Sequence, residues 1–200
     1  MPELQAAPPL RADARRNRDA LLRAARLVFA EQGLDAPLDA IAREAGVGRA
    51  TLYRRFPTRD ALISAISEDD FEVLVQVVRD AEDPDRAYFD FIDCALKMQV
   101  DNLGFIELFT RKLADPEVLQ SIIGRFHTIV APTLERAQQA GLVREDLRPE
   151  DTASLVLMLG AATAAMRDSH SGEIRRKRAI ALVFDGLDPA NAPRTLPALD

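Results

Sequence analysis

Residues 38 to 59 of this 200-residue chain, LDAIAREAGVGRATLYRRFPTR, narrow what it can become more than any other stretch. Leu38, Ile41, Ala42 and Ala45 recur at helical spacing and make the buried stripe of one short helix. Gly46 then stands where a helix C-terminus favours a residue free to take positive φ, and Val47 plugs the gap behind it. A second helix runs from about Arg49 to Phe56, and Pro57 stops it. Two helices joined by so tight a glycine turn must cross steeply, which is helix-turn-helix geometry. Leu52 and Phe56, four apart, face inward in the second helix. The outward set is Arg49, Thr51, Tyr53, Arg54 and Arg55, with Ala50 beside Arg49 at the helix start. Arginine suits phosphates or guanine edges, and Thr and Tyr suit phosphates and thymine methyls, so this face fits a DNA major groove.

With these residues in view, the segment from Arg18 to Ile66 resembles the DNA-binding domain of TetR-type transcriptional regulators. The resemblance rests on Leu21, Ala24, Ala25, Phe29 and Gly33, then Ile41-Ala42, Ala45-Gly46-Val47, Thr51-Leu52-Tyr53, Phe56, and Arg59 with Leu62. So dense and ordered a match is far more specific than a generic helix-turn-helix, though it spans only about a quarter of the chain. Pro37 stands where such proteins usually carry a capping Thr or Ser, and Arg59 stands in place of the usual Lys. The resemblance implies a homodimer that binds a palindromic operator in double-stranded DNA. It further implies a repressor relieved by a small apolar effector, with no catalytic activity and no cofactor. Arg49, Ala50, Thr51, Tyr53, Arg54, Arg55 and Arg59 are the residues expected at the DNA. Arg49 is expected to read a base, Arg59 to hold a phosphate.

A net charge of -6 at first argues against a nucleic-acid partner, but its distribution reverses that impression. Residues 1–60 carry +3 and residues 61–200 carry -9, a mildly basic head on an acidic body. The single Cys94 excludes an internal disulfide framework, as expected of a cytoplasmic protein. One Cys and two His supply no zinc set, so no metal is expected. The longest nearly apolar run, Leu155 to Met166, is about half the ~20 residues that cross a bilayer, so no membrane partner is expected. No nucleophile elbow, phosphate loop or polar cluster around a His supports the alternative of a helical-bundle enzyme. An adaptor that merely resembles a regulator would lack the outward Arg/Tyr/Thr face.

The periodicity predicts an all-α chain of about nine helices. Residues 1–14 read as a disordered arm and 15–60 as a three-helix DNA-binding domain. Residues 61–186 read as a larger effector-binding and dimerisation domain, and 187–200 as a loose tail. The first helix starts at Asp13 or Asn17 and ends at Gly33; Arg15, Arg16 and Arg18 sit at its beginning or in the arm before it, and such an arm could lie along DNA or in solvent. Thr58 caps a fourth helix that runs to about Asp80, and Asp83-Pro84-Asp85 opens a fifth. A sixth holds Ile106, Phe109 and Leu113. Asp115-Pro116-Glu117 opens a seventh, with a kink or break expected at Pro132. Pro149 begins an eighth that reaches about Arg167, and a ninth covers about Glu173 to Phe184.

In the body, Phe89, Met98, Phe105, Phe109, Phe126, His127 and Met158 either line an effector cavity or fill an ordinary helical core. The eighth helix is apolar on all sides, so it either lies at the centre of the domain or presents a second face to another subunit. The resemblance favours the dimer and puts Gly160, Ala161, Ala162, Ala164 and Ala165 at the close approach. Arg175-Arg176-Lys177-Arg178 reads as the wet side of the ninth helix.

Overall fold

The computed structural model describes residues 9–101, 115–164, 172–191 and 194–197, and among these there are helices and no strand. The elements are α1 (Pro9–Gln32), α2 (Leu38–Glu44), α3 (Arg49–Arg55), α4 (Arg59–Arg79), α5 (Ala87–Asp101), α6 (Pro116–Gln139), α7 (Pro149–Ala164) and α8 (Gly172–Leu187). A single 3₁₀ turn, Pro189–Asn191, follows. The all-α expectation holds. The predicted sixth helix around Ile106, Phe109 and Leu113 lies outside the described residues, as does the expected end of the eighth beyond Ala164.

Local chemistry explains most boundaries. α2 ends in a complete Schellman motif: Val47 N–H donates to Ala42 O (3.0 Å) and Gly46 N–H to Arg43 O (3.1 Å). Gly46 takes φ 65°, a conformation a β-carbon would strain, and the turn thereby aims α3 across α2. Thr58 caps α4 by accepting from the Ala61 N–H at 3.1 Å. Asp115 caps α6 by accepting from the Glu117 N–H at 2.8 Å, with Pro116 at the first helical position.

Three expectations need adjustment. α1 begins at Pro9, inside the stretch read as an arm, because a proline at a helix start gives up only an N–H that has no helical partner. α5 begins at Ala87, not at Asp83. Asp83 closes a turn over Asp85 N–H (3.0 Å) and Arg86 N–H (3.0 Å), which delays the helix. α6 is one helix through Pro132, so the break foreseen as one alternative does not occur; the Pro132 side chain is exposed, and the carbonyl it leaves without a helical donor sits beside solvent.

The core is one continuous cluster. In the head, Leu21, Ala25 and Phe29 of α1 meet Ile41 of α2, Leu52 of α3, Phe56, and Leu62 and Ile66 of α4. In the body, Phe71 and Leu74 of α4 meet Tyr88, Phe91 and Leu96 of α5, Phe126 and Val130 of α6, and Val156 and Leu159 of α7. Each fully buried Leu or Phe contributes roughly 1.5–3 kcal/mol over an exposed one. α4 belongs to both halves: it packs on α1 in the head and on α5 and α6 in the body. The tail, read as loose, is tied down at residues 194–197. Leu196 N–H donates to Asp146 Oδ2 (2.6 Å), and Arg144 donates to Arg194 O (2.6 Å).

Candidate nucleic-acid interface and body cavity

α3 turns Leu52 into the core and leaves Arg49, Ala50, Tyr53, Arg54 and Arg55 exposed, with Thr51 half-buried. The side chains predicted to point outward are therefore on the solvent side of α3, Thr51 only in part. Its organising acid is Asp39, in the first turn of α2. Arg49 Nε forms an ion pair with Asp39 Oδ1 at 2.9 Å, and Tyr53 Oη donates to the same oxygen at 3.4 Å. The Arg49 side chain is still 70% exposed, so this pair is a surface ion pair worth about 0–1 kcal/mol. Periodicity missed Asp39 because it weighs apolar spacing, whereas the contact depends on the crossing of two helices.

Arg59 is placed differently from the others. Its guanidinium donates to Leu34 O and, at 3.4 Å, to Asp35 O, and lies 6.0 Å from the Phe29 ring centroid. It pins the α1–α2 connection to the start of α4. Pro37, in the N-cap position of α2, makes no side-chain cap, as its missing hydroxyl requires.

The first-helix arginines are also spoken for. Arg18 Nη2 donates to Asp69 Oδ1 at 2.8 Å, and that bond raises the guanidinium pKa further above its ordinary value. Arg26 Nη2 donates to Asp70 Oδ1 at 2.6 Å and to Ile66 O at 3.3 Å. From the opposite side Arg125 of α6 approaches Glu68 at 3.6 Å and Glu72 at 3.7 Å. The acidic run 68–72 of α4 thus holds the head on one side and the body on the other. Arg18, read as lying at the beginning of the first helix or in the arm before it, stands within α1 and is half-buried in this joint.

In the body, Met98 and Phe126 line a cavity between α4, α5, α6 and α7, together with Asp70, Phe71, Leu74, Ala95, Gln99 and Val156. Its volume is about 30 Å³, room for a water or two. The other predicted effector residues are dispersed. Phe89 packs edge-on against Tyr88 (5.7 Å) and Phe184 (5.2 Å), and His127 lies 3.8 Å from Glu150. Met158 is 61% exposed and points away from the cavity, because the helical rotation that buries Val156 and Leu159 turns Met158 outward. Phe105 and Phe109 lie outside the described residues. In the core, Tyr88 shares a 2.8 Å hydrogen bond with Thr152, and burial pushes its phenol up to about 12. Burial also pushes the half-buried Cys94 thiol up.

A head whose second short helix offers basic and aromatic side chains, carried on a helical body, defines a helix-turn-helix DNA-binding regulator. Comparison gives the family. The profile of bacterial regulatory proteins of the tetR family matches residues 21–66. The profile of the C-terminal domain of SbtR-like transcriptional regulators matches residues 83–189, more than half the chain. The crystal structure of a TetR transcriptional regulator from Streptomyces coelicolor is 30% identical, covers 86% of this chain and 98% of its own, and superposes with a TM-score of 0.59. A TetR regulatory protein from Mycobacterium vanbaalenii is 31% identical over 90% of this chain and 99% of its own, with a TM-score of 0.59. The helix-turn-helix regulator UidR of Escherichia coli K12 is 26% identical over 158 residues, 75% of this chain and 81% of UidR. The chain belongs to the TetR family of transcriptional regulators. Among the described residues no helix is long and apolar enough to cross a membrane.

Proposed function

We propose that the chain is a cytoplasmic, homodimeric repressor that grips a palindromic operator through α3 and releases it when a small, mostly apolar molecule binds in the body. It would catalyse no reaction. The observation that carries this reading is the exposed face of Arg49, Ala50, Tyr53, Arg54 and Arg55 on a helix seated by buried Leu52 and Phe56. Arg49 lies at the N-terminal end of that helix, the end that meets base edges, and is assigned to sequence reading; Thr51, Tyr53 and Arg55 are assigned to phosphates, and Arg54 to either. A groove phosphate or guanine can take Arg49 from Asp39 at small cost, since the existing pair is solvent-exposed. Arg59, held by two backbone carbonyls, serves the interface chiefly by fixing the α1–α2 connection, and reaches a phosphate only if it leaves them.

Dimerisation is supported by exposed large apolar side chains on the last two helices: Met158 of α7 at 61%, and Ile174 and Leu182 of α8 at 59% and 69%. Ligand control is supported by the cavity that α4 shares with the joint to the head. A mobility-shift assay with DNA flanking the encoding gene tests the DNA assignment. A sequence-selective shift that Arg54→Ala weakens is expected, and no shift on any flanking fragment overturns it. Addition of compounds to the shifted complex tests effector control. By linkage, an effector that lowers DNA affinity is bound less tightly by the DNA complex by the same factor.

A further inference from the structure

Two side chains of α3 meet on one carboxylate of α2. Asp39 Oδ1 takes Arg49 Nε at 2.9 Å and Tyr53 Oη at 3.4 Å, and among the described residues no hydrogen bond reaches Oδ2. The Asp39 side chain is 36% exposed, so that free oxygen belongs to a group that solvent or a partner can meet. A carboxylate at a DNA interface repels the phosphates of every sequence alike, so its presence here calls for an explanation. Its place in the first turn of α2 stabilises that helix, but this alone does not account for the two contacts to α3.

The chemistry of the pair suggests what the acid can do. Arg49, held through Nε, keeps its Nη1/Nη2 edge, which is the edge that forks onto O6 and N7 of a guanine. Arg49 can therefore read a guanine without leaving Asp39. An ionised carboxylate only accepts. In the major groove guanine and thymine offer it acceptors (O6, N7 and O4), whereas cytosine offers the N4 amino group and adenine an amino group beside the acceptor N7. Cytosine is thus the base it fits best. The carboxylate on Nε stands to the side of the guanidinium fork, and a sideways step of roughly 3.4 Å along one strand is one base.

We propose that Asp39 is a specificity residue of the DNA interface: while Arg49 holds a guanine, Asp39 accepts a hydrogen bond from the N4 amino group of a cytosine in the neighbouring base pair. α2 and α3 then read a two-base step together. This rests on the reading of α3 as the groove helix with Arg49 at a base. The test selects duplexes from a library of random sequence with the full chain, as wild type, Asp39→Ala and Arg49→Ala. Wild type is expected to favour cytosine over guanine or thymine by roughly five- to a hundredfold at one position, beside the guanine that Arg49→Ala ceases to select. Asp39→Ala is expected to lose the cytosine preference and keep those at positions read by other side chains. On the selected duplex, 2-pyrimidinone in place of that cytosine removes only the amino group; it should weaken wild type at least about fivefold and affect Asp39→Ala little. Asp39→Asn, which keeps the shape and adds a donor, is expected to admit adenine as well as cytosine, and carries the test should Asp39→Ala fail to fold.

A cytosine preference that survives in Asp39→Ala, or a loss confined to the guanine, would leave Asp39 an orienting group for Arg49 and overturns the proposal while leaving α3 in the groove. The same holds if wild type selects a sequence with no such cytosine, or if 2-pyrimidinone weakens both proteins equally. If wild type enriches no sequence at all, the reading of α3 falls together with this one.

Discussion

Arg49 and Arg59 share a charge but not a setting, and the difference decides what each substitution should do. Arg49 is exposed and paired only with Asp39 on the surface, whereas Arg59 is tied to Leu34 O and Asp35 O beneath it. Removing Arg59 leaves two carbonyls and a turn without their anchor, so Arg59→Ala should cost about 1–2 kcal/mol of stability. Urea unfolding of the variant would show this as a lower midpoint; an unchanged midpoint would return Arg59 to a purely DNA-facing role. Asp39 gives the complementary case. It places a negative charge beside the proposed phosphate path while it orients Arg49 and Tyr53. Asp39→Ala should therefore tighten binding to unrelated DNA but lower the ratio of operator to non-operator affinity. Titrations on matched operator and scrambled duplexes read both quantities, and a rise in that ratio would refute Asp39 as an orienting group.

The C-terminal strap shows how a segment with no periodicity is nonetheless ordered. Asp146 accepts from Arg144 at 2.5 Å and from the Leu196 N–H at 2.6 Å, and these bonds hold its carboxyl well below the usual carboxylate range. A carboxyl depressed in the folded state stabilises fully above its unfolded pKa near 4. The contribution fades as pH falls below that value and is gone only once the folded pKa is passed. The protection factor of the Leu196 amide, corrected for intrinsic exchange, should thus be flat from pH 7 to 5 and fall at lower pH. Asp146→Asn should lower it already at pH 7. Nothing in Pro189, Pro193 and Pro197 foretells such a strap, because its bonds join residues 50 apart. The reverse holds for α2, α3 and the start of α4, where Gly46, Pro57 and Thr58 act within a few residues, and their geometry follows from the sequence. The joint at Asp69 and Asp70 again joins residues 51 and 44 apart, so nothing local in the sequence assigns Arg18 to it. The cavity was legible only at Met98 and Phe126. Its polar member Gln99 has no spacing signature, and Met158 is apolar enough to suit either side of α7.

That two-sidedness of α7 bears on assembly, and the structure separates its faces. Val156, Leu159 and Gly160 are buried within the subunit, while Met158 is 61% exposed and Ala161 is exposed beside it. Leu182 of α8 is likewise exposed, at 69%. A symmetric dimer that covers this face would bury the same side chains twice, once from each subunit, and bring two copies of α3 to successive major grooves of a two-fold operator. Two arginine substitutions one residue apart then have different consequences. Leu159→Arg puts a charge into the subunit's own core and should cost several kcal/mol, with loss of helical signal or aggregation. Met158→Arg puts two charges against each other across the proposed interface and leaves the subunit core intact. It should give a folded monomer by light scattering and circular dichroism. The monomer grips one half-site only, so the slope of log affinity against log salt should fall to about half the dimer's, since that slope counts the phosphates neutralised. A Met158→Arg protein that stays dimeric with an unchanged slope would place the subunit contact elsewhere. A wild-type monomer at micromolar concentration would remove the two-fold reading altogether.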